Sequence, residues 1–577
     1  MKASALAVAV WLAGAPACAA PPAGSSHGAP TPPAARPRPA LAPLLAPAAP
    51  AASPRWMTVE GCARCHGPSE HALRGPGGED LAPSTGWSTS MMGLAARDPY
   101  FLAALSRELW RRPAARPLLE RTCLGCHAPM GVREAVATGQ HLGLHELLGG
   151  DSVAARLGRD GVSCLGCHAI TADGLGTPTS FTGGFVTAAE RVAFGPRPDP
   201  VGAAMAQMIH VEARYGPHLS SSALCGSCHT VELAPMQADG SPAGPSYLEQ
   251  ATYLEWRNSD FRTEAPAGPT PTSCIDCHMA QLRTTDAGVV RGVDADGVVL
   301  SSRPPSGLPA RDGVRRHQLA GGNAYLLRVL ADDPAAVGSR LAPAALRTAA
   351  AASEQMLATA AALRLADVHL VGGRLRATVT VINQTGHKLP TGYPFRRMWL
   401  RWVARDRAGQ VVATGGQHRA GALVDHRGQR LDPAGVTLPH RDRITDPDEI
   451  ALWEAIPVDG AGRRSHQIVD TVGLGKDNRI LPAGWRVDHP DGARLGPTGV
   501  GADPTFVAGA DQVQLDVPAA AAAALEVELL YQSIPPETLD SYHGVPGRAP
   551  LAFIRMTART PPLPVRLAQA QALVAPR

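Results

Sequence analysis

The sequence predicts a multidomain protein. A mostly α and irregular N-terminal region is joined by an alanine-rich helix to a C-terminal all-β, sandwich-like domain. Three observations predict it. Cys-x-x-Cys-His recurs five times in the first half of the chain. Aromatic residues make up only 4% of the 577 residues, too few to pack a large core in a Gly- and Pro-rich region. In the C-terminal part, apolar and polar residues alternate with the period of half-buried strands.

Residues 1–20 carry Lys2, an apolar run from Ala5 to Ala13 and small residues through Ala20. This is the pattern of a secretory signal peptide. Cys18 is lost with that signal or, in the alternative, becomes a lipidated N-terminal anchor. Residues 21–55 are Pro/Ala-rich and read as a disordered linker. Within 56–332, a helix is expected over Pro99–Trp110, with Asp98 as its cap and Pro99 in the first turn. Another is expected over Tyr247–Ser259. The alanines between Leu341 and Leu365 predict a connecting helix, assigned to residues 333–365.

Residues 366–562 then change period. Leu375, Ala377, Val379 and Val381 alternate with polar residues, as do Met398, Leu400 and Trp402. Asp406 to Gln410 offers a turn with Gly409 before Val411 and Val412. Val513, Leu515 and Val517, then Leu525, Val527, Leu529 and Tyr531, repeat the alternation. These predict an antiparallel β domain, followed by a tail over 563–577. No stretch beyond the signal is long and apolar enough to span a membrane. The net charge of +4 comes with no basic cluster interleaved with aromatics, which gives no sign of nucleic-acid binding.

The repeated motif occurs as Cys62-Cys65-His66, Cys123-Cys126-His127, Cys164-Cys167-His168, Cys225-Cys228-His229 and Cys274-Cys277-His278. It uses ten of eleven cysteines. Two thiols three residues apart reach the two vinyl groups of one haem, and the next residue, His, lies beneath the iron. Zinc sites pair two Cys-x-x-Cys units or add two histidines, and an odd number of copies, each with a trailing His, does not suit them. Disulfide redox motifs need no such His. The reading is five covalently bound haem c groups. Residues 56–332 then form a pentahaem cytochrome c domain in which the porphyrins replace the missing aromatic core.

Distal ligands decide between an electron carrier and an enzyme. His218 and His210 precede the fourth motif. His317 precedes Gly321-Gly322-Asn323, where glycines allow close backbone approach to a porphyrin. His387 sits in the Gly/Pro-fixed loop Thr385–Gly392 of the β domain. Met92 offers a thioether. His71, His141 and His145 are further alternatives. Histidines from His418 onward are expected on the β-domain surface.

With these residues in place, the sequence resembles a family of multihaem cytochromes that includes the tetrahaem electron acceptors of hydroxylamine oxidoreductase. The matching stretches are Ser90-Met91-Met92 with Arg97-Asp98-Pro99, Gly161 to Cys164, Leu224 to His229, Glu249 to Trp256 and His317 to Asn323. Thr385–Tyr393, Lys476 to Arg479 and Tyr531-Gln532 look like the β domain fused to many such cytochromes. The resemblance implies clustered haems, mostly with two axial histidines, in an exported electron-transfer protein of the periplasm or cell surface. Its partners would be other redox proteins, as donor and acceptor. Five motifs and a large extra domain depart from the tetrahaem pattern, so inter-haem geometry and partner do not carry over. The alternative is an oxidoreductase acting on a small nitrogen or sulfur compound at one five-coordinate haem, with the first haem as candidate.

Overall fold

The computed structural model describes residues 41–576, except 76, 281, 286–287, 292–294 and 304–307. The segment expected to be a signal peptide and Cys18 lie outside the described residues. From Leu41 onward the chain forms one unit.

The linker expected through residue 55 is ordered from Leu41. Leu44 and Leu45 are buried in the main core, and Leu44 N donates to Ala336 O at 2.6 Å. Two leucines in a Pro/Ala background suffice to fix the strap, because burying each stabilises by roughly 1.5–3 kcal/mol.

The helix Pro99–Arg111 forms where expected, with Asp98 accepting from Tyr100 N and Phe101 N. Its apolar face, Leu102, Leu105 and Leu109, follows the helical period into that core. Phe553 and Met556 of the helix Arg548–Arg559 join it from the far end of the chain. The helix expected over Tyr247–Ser259 is instead a strand, Tyr247–Gln250, followed by the helix Thr252–Arg257. Pairing of the strand with Val231–Leu233 overrides local propensity.

The alanine-rich helix covers Pro343–Leu357, shorter than expected. The next segment, Ala361–Val371 (β1), is already a strand, because Ala361 pairs with Asn383 of β2, Arg374–Asn383. The other strands of the two large sheets are β3 (Arg397–Arg405), β4 (Val411–Gly415), β5 (Arg443–Ile444), β6 (Leu452–Asp459), β7 (Thr471–Asp477), β8 (Ala510–Pro518), β9 (Ala524–Gln532), β10 (Val565–Leu573) and β11 (Ala575–Pro576). One sheet runs β5-β8-β2-β1-β11; the other runs β7-β6-β3-β9-β10, with β4 also on β3. The expected C-terminal tail is therefore an edge strand of one sheet and a short strand of the other. Leu375, Val379, Val513 and Leu515 of the first sheet share one core with Leu400, Trp402, Val527 and Leu529 of the second. The turn before β4 is built by Asp406, whose Oδ1 accepts from Ala408 N and Gln410 N, with Gly409 at φ 79°.

Candidate functional site

Four of the motifs lie within helices, and the fourth starts in the helix Ser222–Gly226 and runs past its end. Cys-x-x-Cys-His at i, i+3 and i+4 puts both thiols and the imidazole on one helix face. Neighbouring motifs cap one another's segments. Asp160, just before the third motif, accepts from Val59 N at 2.9 Å at the start of the first. Ser222, before the fourth, accepts from Cys274 N at 3.1 Å at the start of the fifth. None of the ten motif cysteines is joined in a disulfide.

Four motif histidines present Nδ1 to a backbone carbonyl: His66 to Leu300 (2.9 Å), His127 to Ala95 (3.2 Å), His168 to Phe194 (2.7 Å) and His278 to Ala320 (2.7 Å). A carbonyl can only accept, so Nδ1 carries the proton and Nε2 keeps its lone pair for a metal. His229 takes a side-chain hydrogen bond with Gln250 instead. Burial holds His127 and His229 down to about 4, and lowers His66 and His168, so the imidazoles are neutral at pH 7. The neutral ring is the form that ligates metal.

His317 and His387 are brought opposite motif histidines. The rings of His168 and His317 lie 6.4 Å apart at 20°, and those of His278 and His387 lie 6.4 Å apart at 16°. Two metal–imidazole bonds of about 2.0 Å, plus about 1.2 Å from each nitrogen to its ring centre, span about 6.4 Å. Both pairs therefore fit one iron between them. Burial holds His317 and His387 down to about 4 as well.

These four rings, with His66 and His229, line a continuous cavity of 1070 Å³. It exceeds the roughly 300–1,000 Å³ of an ordinary small-molecule site and suits several porphyrins. Met92 lies on its wall. His218 spends Nε2 on the carbonyl of Ile170 at 2.8 Å. His210 is an exposed residue at φ 53°, just after the helix Ala203–Ile209. His127 is half-buried and stacks on Phe101, whose ring lies parallel to it at 3.6 Å.

Thiols of different motifs lie close enough to perturb one another's ionisation: Cys62 with Cys164, Cys126 with Cys228, and Cys225 with Cys274. Cys167 lies within electrostatic reach of both Cys225 and Cys228. The fourth motif thus neighbours the second, third and fifth, and the first neighbours the third.

Sequence reasoning passed over the groups behind His387. Its Nδ1 meets Lys388 O at 2.9 Å, and Lys388 N donates to Glu255 at 3.2 Å. It also placed the late histidines on the surface. The side chain of His440 is only 6% exposed and meets Asp503 at 3.1 Å, with Asp511 close by. Asn478 donates to His440 Nδ1 and is itself pinned by Leu452 O and Glu454 N. That leaves the His440 proton on Nε2, facing Asp503, so the trio is a closed proton network and not a ligand set. The signal for such burial was Asp511, a carboxylate in the inward row of Val513, Leu515 and Val517.

No family model matches this chain. No curated protein matches it either. Among solved structures it is similar to a penta-heme cytochrome c552 from Thermochromatium tepidum, with 17% identity over 90% of this chain and 98% of that chain, at a TM-score of 0.49. Among the described residues, no helix is long and apolar enough to cross a membrane.

Proposed function

We propose that this chain is a multihaem c-type cytochrome. More particularly, it is an exported pentahaem electron carrier of the periplasm or cell surface that exchanges electrons with other redox proteins. The observation that carries this reading is the pair of facing imidazoles, His168 with His317 and His278 with His387, each at 6.4 Å. Haem c would be held through the ten thiols, and bound there it supplies a one-electron iron couple.

The chain's own residues do the rest. The carbonyls of Leu300, Ala95, Phe194 and Ala320 orient the proximal rings and raise their basicity. His317 and His387 would serve as second ligands at the third and fifth sites, which would leave no place there for a substrate. Leu73, Trp87, Ile275 and Leu327 on the cavity wall keep the surroundings apolar. The neighbouring thiols support a branched order of attachment sites, with the first joined to the third, and the second, third and fifth meeting at the fourth.

The oxidoreductase reading is favoured at the first, second and fourth motifs: among the described residues, ring contacts pair no imidazole with His66, His127 or His229, and the ring stacked on His127 is that of Phe101. Expression in a host competent for c-type maturation, followed by intact mass and EPR, tests the proposal. Five porphyrin additions and at least two low-spin signals are expected. A colourless protein, or a mass without the additions, would overturn it. A high-spin signal that shifts with nitrite, hydroxylamine or sulfite would favour the enzyme.

A further inference from the structure

We infer that Glu255 is the positioning residue for His387, acting through the Lys388 peptide to set the ring plane of the fifth motif's distal imidazole. The inference rests on the proposed haem ligation by His387.

The argument starts from cost. Glu255, Lys388, Asp477 and Arg479 are four charged groups whose side chains are 1%, 1%, 4% and 9% exposed. Burying such a set is expensive, and an apolar replacement of the same shape is often no less stable. The arrangement is closed and neutral. Lys388 Nζ meets Asp477 Oδ2 at 2.6 Å, Arg479 Nε meets Asp477 Oδ1 at 2.7 Å, and Arg479 Nη1 meets Glu255 Oε1 at 3.0 Å. Charge balance accounts for Oε1 of Glu255. It does not account for Oε2, which is spent on backbone geometry: it accepts from Lys388 N at 3.2 Å and from Thr391 Oγ1 at 2.5 Å.

Lys388 is thereby held at both ends of its backbone. Its N–H is fixed on Glu255, and its carbonyl accepts from His387 Nδ1 at 2.9 Å. Asn383 and Thr385 both donate to His387 O, at 2.8 and 2.9 Å. With Thr385 Oγ1 a further 3.2 Å from Nδ1, the ring lies 16° from that of His278. Glu255 comes from the helix Thr252–Arg257 beside the fourth motif, whereas the other three charges come from the β region. The carboxylate thus registers the β loop against the attachment sites, and a displacement at either would turn the imidazole. Glu255 is placed to act on the iron only through that ring.

The test uses the full-length holoprotein, with EPR and a potentiometric titration on E255Q, T391V and H387A. H387A identifies the low-spin signal that belongs to this site. In E255Q that same signal is expected to shift in its g-values, which report the angle between the two imidazole planes, and one midpoint potential is expected to move with it. The His168/His317 signal should stay where it is. T391V removes one bond to Glu255 without changing charge and should shift the same signal less; E255D should restore it in part. Unchanged g-values and potentials in both E255Q and T391V would overturn the inference. So would a shift confined to signals that H387A leaves intact. If H387A removes no low-spin signal, the ligation reading itself falls, and this inference falls with it.

Discussion

His317 and His387 differ from the other histidines by what their nitrogens face. His387 gives Nδ1 to a carbonyl and its ring to His278, whereas His218 gives Nε2 itself to a carbonyl. Substituting His317→Ala or His387→Ala should each convert one low-spin haem to high spin in the EPR spectrum of the holoprotein. His218→Ala should leave the low-spin count unchanged. Asp98 belongs to the same scale. It caps a helix and is also buried, which pushes its carboxyl up to about 6. The folded protein then holds this proton more tightly than the unfolded chain, so its contribution to stability declines as pH rises from about 4 to 6. Asp98→Asn removes that dependence. Relative to the natural protein, the variant should gain stability across this window, as read from urea midpoints at each pH.

At the scale of elements, the C-terminal strand closes the β region. β10 pairs with β9 from Tyr531 back to Ala524, and Leu567 reaches the shared core at 3% exposure. Leu567→Ala should cost about 2–5 kcal/mol, through lost burial and the cavity left behind, measured by chemical denaturation. The alternation in β2, β3, β8 and β9 was plain in the sequence, because a strand with one buried face must repeat every second residue. β10 was missed because Val565 to Leu573 is an edge strand that fully buries only Leu567, and Ala568, Ala570 and Ala572 beside Gln569 and Gln571 give little hydrophobic contrast. The Tyr247–Ser259 segment was misread for a related reason. A short apolar run suits a helix or a strand equally, and a distant partner, Val231–Leu233, decides between them.

For the whole molecule, the cavity is the dominant fact. Side chains alone leave 1070 Å³ among the attachment sites, far more than close-packed interiors tolerate. Protein made without haem maturation should therefore lose hydrogen-exchange protection across residues 56–332, while the paired strands β2, β3, β8 and β9 keep theirs. Equal protection in the haem-free and haem-loaded proteins would contradict a porphyrin-filled core.

The sequence by itself determined the spacing on which the proposed attachment chemistry rests. Cys-x-x-Cys-His is complete within five residues, and its geometry follows from one turn of helix wherever that turn sits. It also determined the β character of the second half, since the period is a local property. Only the tertiary structure decided which imidazole faces which. His168 meets His317, and His278 meets His387, across long stretches of chain, and no local spacing encodes a contact made by folding. The same reason hid the Glu255 network and the thiol neighbours that make the fourth motif a junction: a buried charge or thiol finds its partner through packing, and packing is written in the whole chain.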